Sequence, residues 1–218
     1  MSDPLAPPPP PPPAPSGGTS AIDIIAGIIL GLAATIAAFA AYQGALADGN
    51  SLEGYTQSTQ HLSDANFFYN ASSQQFVRDQ QLFTAFATAA NTPGQEQVAE
   101  YIRTALMDEN LQDAVDWWAA TEDAVTPFDD LEGNPYVDAA GAEADAQQTA
   151  AEEAFAEGAE ANEVGDRFEL AGVILAITLF FGGIATLIGS PKIAWVLMGV
   201  AAVTLLSGAG LVVSAMGA

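Results

Sequence analysis

The sequence predicts an all-α membrane protein with three transmembrane helices and an extramembrane three-helix bundle that carries an extended strap. Two observations lead to this fold class. The chain of 218 residues has 27 acidic side chains against 4 basic ones, yet 50% of its residues are hydrophobic. The apolar and the acidic residues also occupy different stretches, so membrane-embedded and water-exposed parts alternate along the chain.

Three stretches without charged residues, 24–42, 170–188 and 193–218, are long enough to cross a bilayer. A helix of nineteen residues is about 28 Å long, close to the roughly 30 Å of hydrocarbon in a membrane. We therefore predict transmembrane helices over 21–43, 170–188 and 193–216. The four residues Gly189-Ser190-Pro191-Lys192 join the last two as a tight hairpin.

The N-terminal segment differs in composition from the rest of the chain. Residues 1–20 contain nine prolines followed by a Gly/Ser stretch, which predicts a disordered proline-rich tail with polyproline II character. Such a tail is either a spacer or a ligand for an aromatic-lined groove. The first apolar run contains an A-x-A pattern at 38–40, but a cleaved signal peptide is disfavoured because no Lys or Arg precedes the run.

The acidic segment 44–169 contains 25 of the 27 acidic residues and three arginines. Capping and breaking signals divide it into three helices. Asp48-Gly49-Asn50 should interrupt the helix that leaves the first span, and Thr92-Pro93 should cap the second helix. The third should continue unbroken into the second span. The expected helices cover about 51–90, 93–121 and 137–169.

The directions of these helices predict the strap. The first helix leaves the membrane and the second returns, but the third must also run toward the membrane because it enters the second span. Residues 122–136 should therefore climb back as an extended segment of roughly 50 Å. This arrangement places Trp117 at the membrane surface, where Tyr42 and Trp195 are also expected because amphipathic rings favour the headgroup region.

Two sets of residues are candidates for helix packing. In the acidic segment Tyr55, Leu62, Tyr69, Phe76 and Phe83 recur every seven residues and predict a buried seam against another helix. In the spans Gly27 and Gly31 form a GxxxG motif, and Gly210 and Ser214 repeat the small-xxx-small spacing. These small residues pack either the chain's own spans or spans of other chains.

No residues suggest catalysis, a metal site or a cofactor. Cysteine is absent and His61 is the single histidine. Four basic residues are too few for nucleic-acid binding. The spans have no ionisable residue in their interior, so a pore built by this chain alone is not expected. The large acid excess is typical of adaptation to high salt, which screens self-repulsion.

These observations predict a non-enzymatic interaction or accessory subunit. Its partners are the lipid bilayer and either further copies of the chain or other proteins in a heteromeric membrane complex. The alternative is a component of a transport or channel assembly in which partners provide the polar path. Lys192 and Arg167 flank the spans on opposite sides, so the positive-inside rule leaves the orientation open.

Several short fragments resemble a family of uncharacterised bacterial membrane proteins with one N-terminal and two C-terminal spans. The similarity includes Ala-Ala-Tyr-Gln at 40–43, Asp-Gln-Gln-Leu-Phe at 79–83, the Trp pair within 114–119, Thr-Pro-Phe at 126–128 and Phe-Phe-Gly-Gly-Ile-Ala at 180–185. The resemblance implies a multi-pass protein of the cell membrane, with the N-terminus and the 189–192 loop in the cytoplasm and the 44–169 domain outside. It implies no activity.

Overall fold

The computed structural model describes residues 21–217, and all regular secondary structure in that range is helical. The elements are α1 (Ala21–Ala90), α2 (Glu96–Tyr101), a π-helical turn (Ile102–Leu106), α3 (Glu109–Ala120), α4 (Ala139–Leu187) and α5 (Pro191–Met216). The predicted proline-rich tail lies outside the described residues.

Three helices, α1, α4 and α5, are long and apolar enough to cross a membrane by length and composition. The three predicted spans are thereby confirmed at this level. The chain also separates into two compact units, which we call the apolar unit (residues up to 48 and from 162 onward) and the acidic unit (49–161).

Both α1 and α4 contribute residues to both units without interruption. For α4 this confirms the prediction that the third helix of the acidic segment continues into the second span. For α1 the predicted break at 48–50 is wrong, since the helix runs through it. A glycine in a helix costs only about 1 kcal/mol relative to alanine. Ser51, the expected cap, is instead 4% exposed and packed inside the acidic unit, which outweighs that cost.

The predicted second helix, 93–121, is wrong in its extent. Gly94 has a φ of +84°, a conformation that a helix cannot continue, so α2 begins only at Glu96. A second break follows at Met107, whose ψ of 140° is extended. Asp108 then caps α3 by accepting the Leu111 backbone N–H at 3.0 Å. The sequence analysis missed this Asp cap.

The break at Met107 explains why no extended strap forms. The chain reverses between the π-helical turn and α3, because Asp108 at the start of α3 bonds Arg78 whereas Trp118 near its end packs against Phe83, farther along α1. Helix α3 thus supplies the change of direction assigned to 122–136. That stretch folds into turns, closed by the backbone hydrogen bonds Ala124 N–H to Thr121 O and Asn134 N–H to Leu131 O, both 3.2 Å long. Pro127 is fully buried within it.

The acidic unit has its hydrophobic core where these short elements meet α1. Buried apolar residues from α1, α2 and α3 form this core, together with partly buried aromatic rings. The fully or nearly buried members are Ala89, Ala99, Ile102, Met107, Leu111 and Val115. Edge-to-face ring pairs fix the packing, with centroids 5.0 Å apart for Phe83 and Trp118 and 4.9 Å for Phe128 and Tyr136.

The apolar unit is held together by α1, α4 and α5. Small and medium-sized side chains fill two clusters, one around Ala26, Ala185 and Met198 and the other around Ala40 and Phe168. Small residues suit helices in lipid, because association there depends on close packing and not on exclusion of water.

Candidate interaction surfaces

Within residues 21–217, a hydrogen bond between side chains joins two of the three long apolar helices, α4 and α5. Thr178 in α4 donates its hydroxyl proton to Thr204 in α5 at 2.8 Å, and Thr178 is completely buried. Thr204 in turn donates to backbone oxygens of its own helix. The pair is therefore satisfied internally and locks α4 to α5.

The GxxxG motif of the first span does not pack the chain's own helices. Gly27 and Gly31 are exposed, and a Cβ added at either would meet no atom within 4 Å. Gly210 and Ser214 are exposed as well, and Gly210 has equally open surroundings. The interpretation that these residues join the chain's own spans is wrong, whereas association with other chains stays a prediction.

Other glycines provide the close approaches inside the apolar unit. A Cβ at Gly182 would lie 2.9 Å from the Leu30 side chain, and one at Gly208 would lie 2.8 Å from that of Leu175. Both glycines are buried. They were missed because neither belongs to a small-xxx-small pair of the kind sought, and their partners are leucines on another helix.

Two of the predicted membrane-interface aromatics are exposed, and their location at a membrane surface stays a prediction. Tyr42 is 63% exposed on α1 and Trp195 is 50% exposed in the first turns of α5. Trp117 belongs to the acidic unit, on α3. Its neighbour Trp118 packs against Phe83. Phe83 lies about 51 Å further along α1 than Gly49, the residue at which the acidic unit begins. The prediction for Trp117 depended on one long helix over 93–121, which the structure replaces with α2, the π-helical turn and α3.

The acidic unit contains a seam between α1 and α4 that is built from small residues. We define this small-residue seam by Ser51, Gly54, Ser58 and Ala65 on α1 and by Ala144, Ala151, Ala154 and Gly158 on α4, all of which are buried. The closest approach is at Gly54, where an added Cβ would lie 2.7 Å from the Gly158 Cα. Only glycine fits at such a distance.

The predicted aromatic seam on α1 is therefore wrong in its register. Leu62, Tyr69 and Phe76 are 40%, 51% and 39% exposed, because side chains of this size cannot enter between two helices in such close contact. Tyr55 and Phe83, at the two ends of the set, are partly buried. These five residues, which we call the aromatic stripe, occupy the face of α1 beside the seam.

Hydrogen bonds and a ring contact connect the aromatic stripe and neighbouring residues of α1 to α4. The Tyr69 hydroxyl donates to Asp145 at 2.9 Å, and the Tyr55 ring lies 5.3 Å from that of Phe155, which is 57% exposed. His61 Nδ1 lies 2.7 Å from the Gln147 side-chain oxygen. His61 thus takes part in helix pairing.

The acidic unit also contains one fully buried carboxylate, Asp79 on α1. Arg78 donates to Asp79 Oδ1 through Nε at 3.1 Å and Nη2 at 3.0 Å, and the Tyr136 hydroxyl donates to Oδ2 at 3.1 Å. Arg78 also bonds Asp108 at 3.1 Å. The network therefore connects α1 to the start of α3 and to the end of the turn-rich segment.

The charges and hydrogen bonds of this network indicate a structural role, in which it connects separate elements of the acidic unit. The hydrogen bond to Asp79 raises the pKa of Arg78. Burial, followed by the charge of Asp79, raises the pKa of the Tyr136 phenol, so Tyr136 stays protonated and able to donate. Both oxygens of Asp79 therefore accept hydrogen bonds from other side chains of the acidic unit.

The turn-rich segment has its own anchor at Asp129. Its carboxylate accepts the backbone N–H groups of Val125 at 2.6 Å and Thr126 at 3.1 Å, as well as the Thr126 hydroxyl at 2.6 Å. These bonds, led by the one from the Thr126 hydroxyl, lower the pKa of Asp129. Trp118 contacts the same site, because its Nε1 donates a hydrogen bond to the Val125 carbonyl oxygen at 3.1 Å.

Two open grooves accompany these features. In the acidic unit a groove of about 580 Å³ lies between α1 and α2 and is lined by uncharged residues, among them Gln80, Gln81 and Gln95. In the apolar unit a groove of about 530 Å³ lies between α1 and α4. Within residues 21–217, no cluster of three or more His, Asp or Glu side chains is arranged to hold a metal ion.

Comparison with known proteins gives no relative for the chain, since no family model, curated protein or solved structure matches it.

Proposed function

We propose that this chain is a non-enzymatic interaction or accessory subunit of a membrane complex, with three spans in the bilayer and the acidic unit outside the membrane on the exoplasmic side. The three long apolar helices support the membrane location. The acidic unit bears 21 carboxylates against two arginines, a composition suited to water and not to lipid.

One observation carries the interaction role: the middle of the aromatic stripe, at Leu62, Tyr69 and Phe76, is exposed. Tyr69 and Phe76 occur at the seven-residue spacing of a packing face, yet the helix against which α1 packs contacts the adjacent face. Phe67, 67% exposed, adds a further ring on the same helix. Aromatic side chains displayed on a charged domain are typical of protein-binding surfaces, because each ring buries a large apolar area on contact.

The experiment that tests this role is purification from native membranes in mild detergent, followed by measurement of the mass and composition of the particle. A stable heteromeric complex supports the accessory role, and the partner would then define the activity. A particle that contains this chain alone, together with ion flux through it in liposomes, would contradict the accessory role and favour a transport component.

The orientation has a separate test, which the absence of native cysteine makes simple. Cysteines are introduced singly at Ser73, exposed on α1 of the acidic unit, and at Ser190 in the hairpin. An impermeant thiol reagent added outside intact cells should label Ser73→Cys and leave Ser190→Cys unlabelled. The reverse pattern would place the acidic unit in the cytoplasm.

A further inference from the structure

One exposed face of α1 carries no charge, although the acidic unit as a whole is strongly acidic. Between residues 54 and 77 the single Asp, Glu, Lys or Arg is Asp64, whereas the paired helix α4 has six carboxylates over the similar length of 139–161. Six exposed residues at alternating spacings of three and four form the face, which we call the uncharged face: Gln60, Ser63, Phe67, Asn70, Gln74 and Val77.

Asn70 belongs to the uncharged face and begins the tripeptide Asn70-Ala71-Ser72. This is the pattern Asn-x-Ser/Thr, in which asparagine is the acceptor for N-glycosylation. None of the other six asparagines of the sequence has Ser or Thr two residues later. Asn70 Nδ2 donates to the Asn66 carbonyl oxygen at 2.7 Å. Because a side-chain amide has two N–H groups, a sugar can replace one hydrogen while the other keeps this bond.

The surroundings of Asn70 suit an oligosaccharide. Gln60, Ser63 and Gln74 both donate and accept hydrogen bonds, as sugar hydroxyls do, and their side chains make no hydrogen bond within residues 21–217. Phe67 is one turn before Asn70 and 67% exposed, so its ring offers an apolar surface to the C–H groups of a sugar. A bound glycan is bulky and solubilising, and it therefore accounts for both the exposed ring and the missing charge.

We propose that Asn70 is N-glycosylated and that its oligosaccharide covers the uncharged face. The inference rests on the exoplasmic orientation of the proposed function, because the donor is a lipid-linked oligosaccharide that a membrane-bound transferase uses on that side. Asn70 Nδ2 attacks the anomeric carbon of the first sugar. The new N–C bond forms as the bond from this carbon to the lipid phosphate oxygen breaks. The phosphate leaves with the electron pair, and the amide gives up one proton.

The folded acidic unit determines when the transfer takes place. Ser72 donates its hydroxyl to Asp138 at 2.5 Å, which connects the sequon to the start of α4. Since the sequon requires this hydroxyl for recognition, the transfer must precede the pairing of α1 with α4. In the folded unit the glycan leaves the aromatic stripe available to a partner, because Asn70 and Tyr69 project about 100° apart around the helix.

The test is mass spectrometry of the full chain purified from its native membranes, both intact and after proteolysis. We expect the mass to exceed that of the sequence by one oligosaccharide, located on the peptide that contains Asn70. The added mass should be lost in Asn70→Gln and in Ser72→Ala, and retained in Ser72→Thr, which preserves the sequon. Asn66→Gln is the matched control and should retain the added mass, since Asn66 is an exposed asparagine one turn away that begins no sequon.

Three results would overturn the inference: a native chain of unmodified mass, an added mass that survives Asn70→Gln, or its loss in Ser72→Thr as well as in Ser72→Ala. The orientation is measured separately, by labelling Ser73→Cys from outside in the Asn70→Gln background, where no glycan shields the thiol. Labelling together with an unmodified native chain would refute the glycosylation and leave the orientation standing. Protection of Ser73→Cys would refute the orientation and the glycosylation together.

Discussion

The closest helix contact in the acidic unit predicts opposite effects for the same substitution at two glycines of α1. At Gly54 an added Cβ would lie 2.7 Å from both the Cα and the backbone nitrogen of Gly158, and 2.9 Å from the Ala154 carbonyl oxygen. At Gly49 an added Cβ would meet nothing within 4 Å. Both residues are within one continuous helix.

The expected magnitudes follow from two opposing effects. Alanine favours a helix over glycine by about 1 kcal/mol, and at Gly49 this gain should appear as about 0.5–1 kcal/mol of stabilisation. At Gly54 the clash involves backbone atoms, which cannot rotate away, so α1 and α4 must separate by about 0.8 Å or more to restore ordinary carbon contacts. Overpacking of this kind costs about 1–3 kcal/mol, and the net effect of Gly54→Ala should be destabilising by about 1–2 kcal/mol.

The assay is hydrogen exchange of the full chain in detergent, followed by mass spectrometry of peptides from 50–62 and 151–161. Exchange of these peptides should accelerate about tenfold in Gly54→Ala, since 1.4 kcal/mol corresponds to a factor of ten, and slow in Gly49→Ala. If Gly54→Ala protected the peptides as well as the wild type does, the close contact between the two glycines would be wrong.

Three further outcomes are expected. Asp79→Asn should destabilise the acidic unit by about 1–3 kcal/mol in denaturant titrations, whereas Asp108→Asn should cost less than about 1 kcal/mol, because Asn can still cap α3 and only the exposed ion pair with Arg78 is lost. Because hydrogen bonds lower the pKa of Asp129 in the folded state, its contribution is complete above the ordinary carboxyl pKa and is lost as the pH falls through the lowered value. Trp118 fluorescence should therefore change in acid in the wild type, whereas Asp129→Asn should show the altered signal already at neutral pH and Asp130→Asn should behave like the wild type. The melting temperature of the chain should rise between dilute buffer and molar salt, and an unchanged value would contradict the adaptation to salt.

The apolar part of the fold was predictable because long uncharged runs have few alternatives. The continuity of α4 through 139–187 could also be predicted, since no Pro lies within it. The break at Met107 could not, because its signal is only an Asp followed by good helix formers. Such a pattern is common inside helices, and here the contacts of Leu111 and Val115 with the core decide the outcome.

The surface of α1 shows why the seven-residue repeat could be recognised in the sequence while the buried face of the helix was assigned wrongly. Tyr69 and Phe76 follow the seven-residue repeat, but so do Ser58 and Ala65 beside them. Hydrophobicity favours the rings for the buried position, whereas close packing against the glycine and alanine of α4 favours the small residues. Only the identity of the partner helix decides between these two faces, and a single helix does not contain that information. For the same reason the exposed state of Gly27 could not be inferred from its motif.

The small-residue seam limits how the length of this chain can vary. Ser51, Ser58 and Ala65 on α1, and Ala144, Ala151 and Gly158 on α4, repeat every seven residues. Insertion of one residue into α1 before position 57 would turn everything after it by about 100° and bring Gln57 and Asp64 to the places of Ser58 and Ala65. A change of seven residues keeps the face, but it must occur in both helices to keep the glycines opposite each other. Among sequences that share this architecture, lengths should therefore differ by whole heptads, gained or lost in pairs.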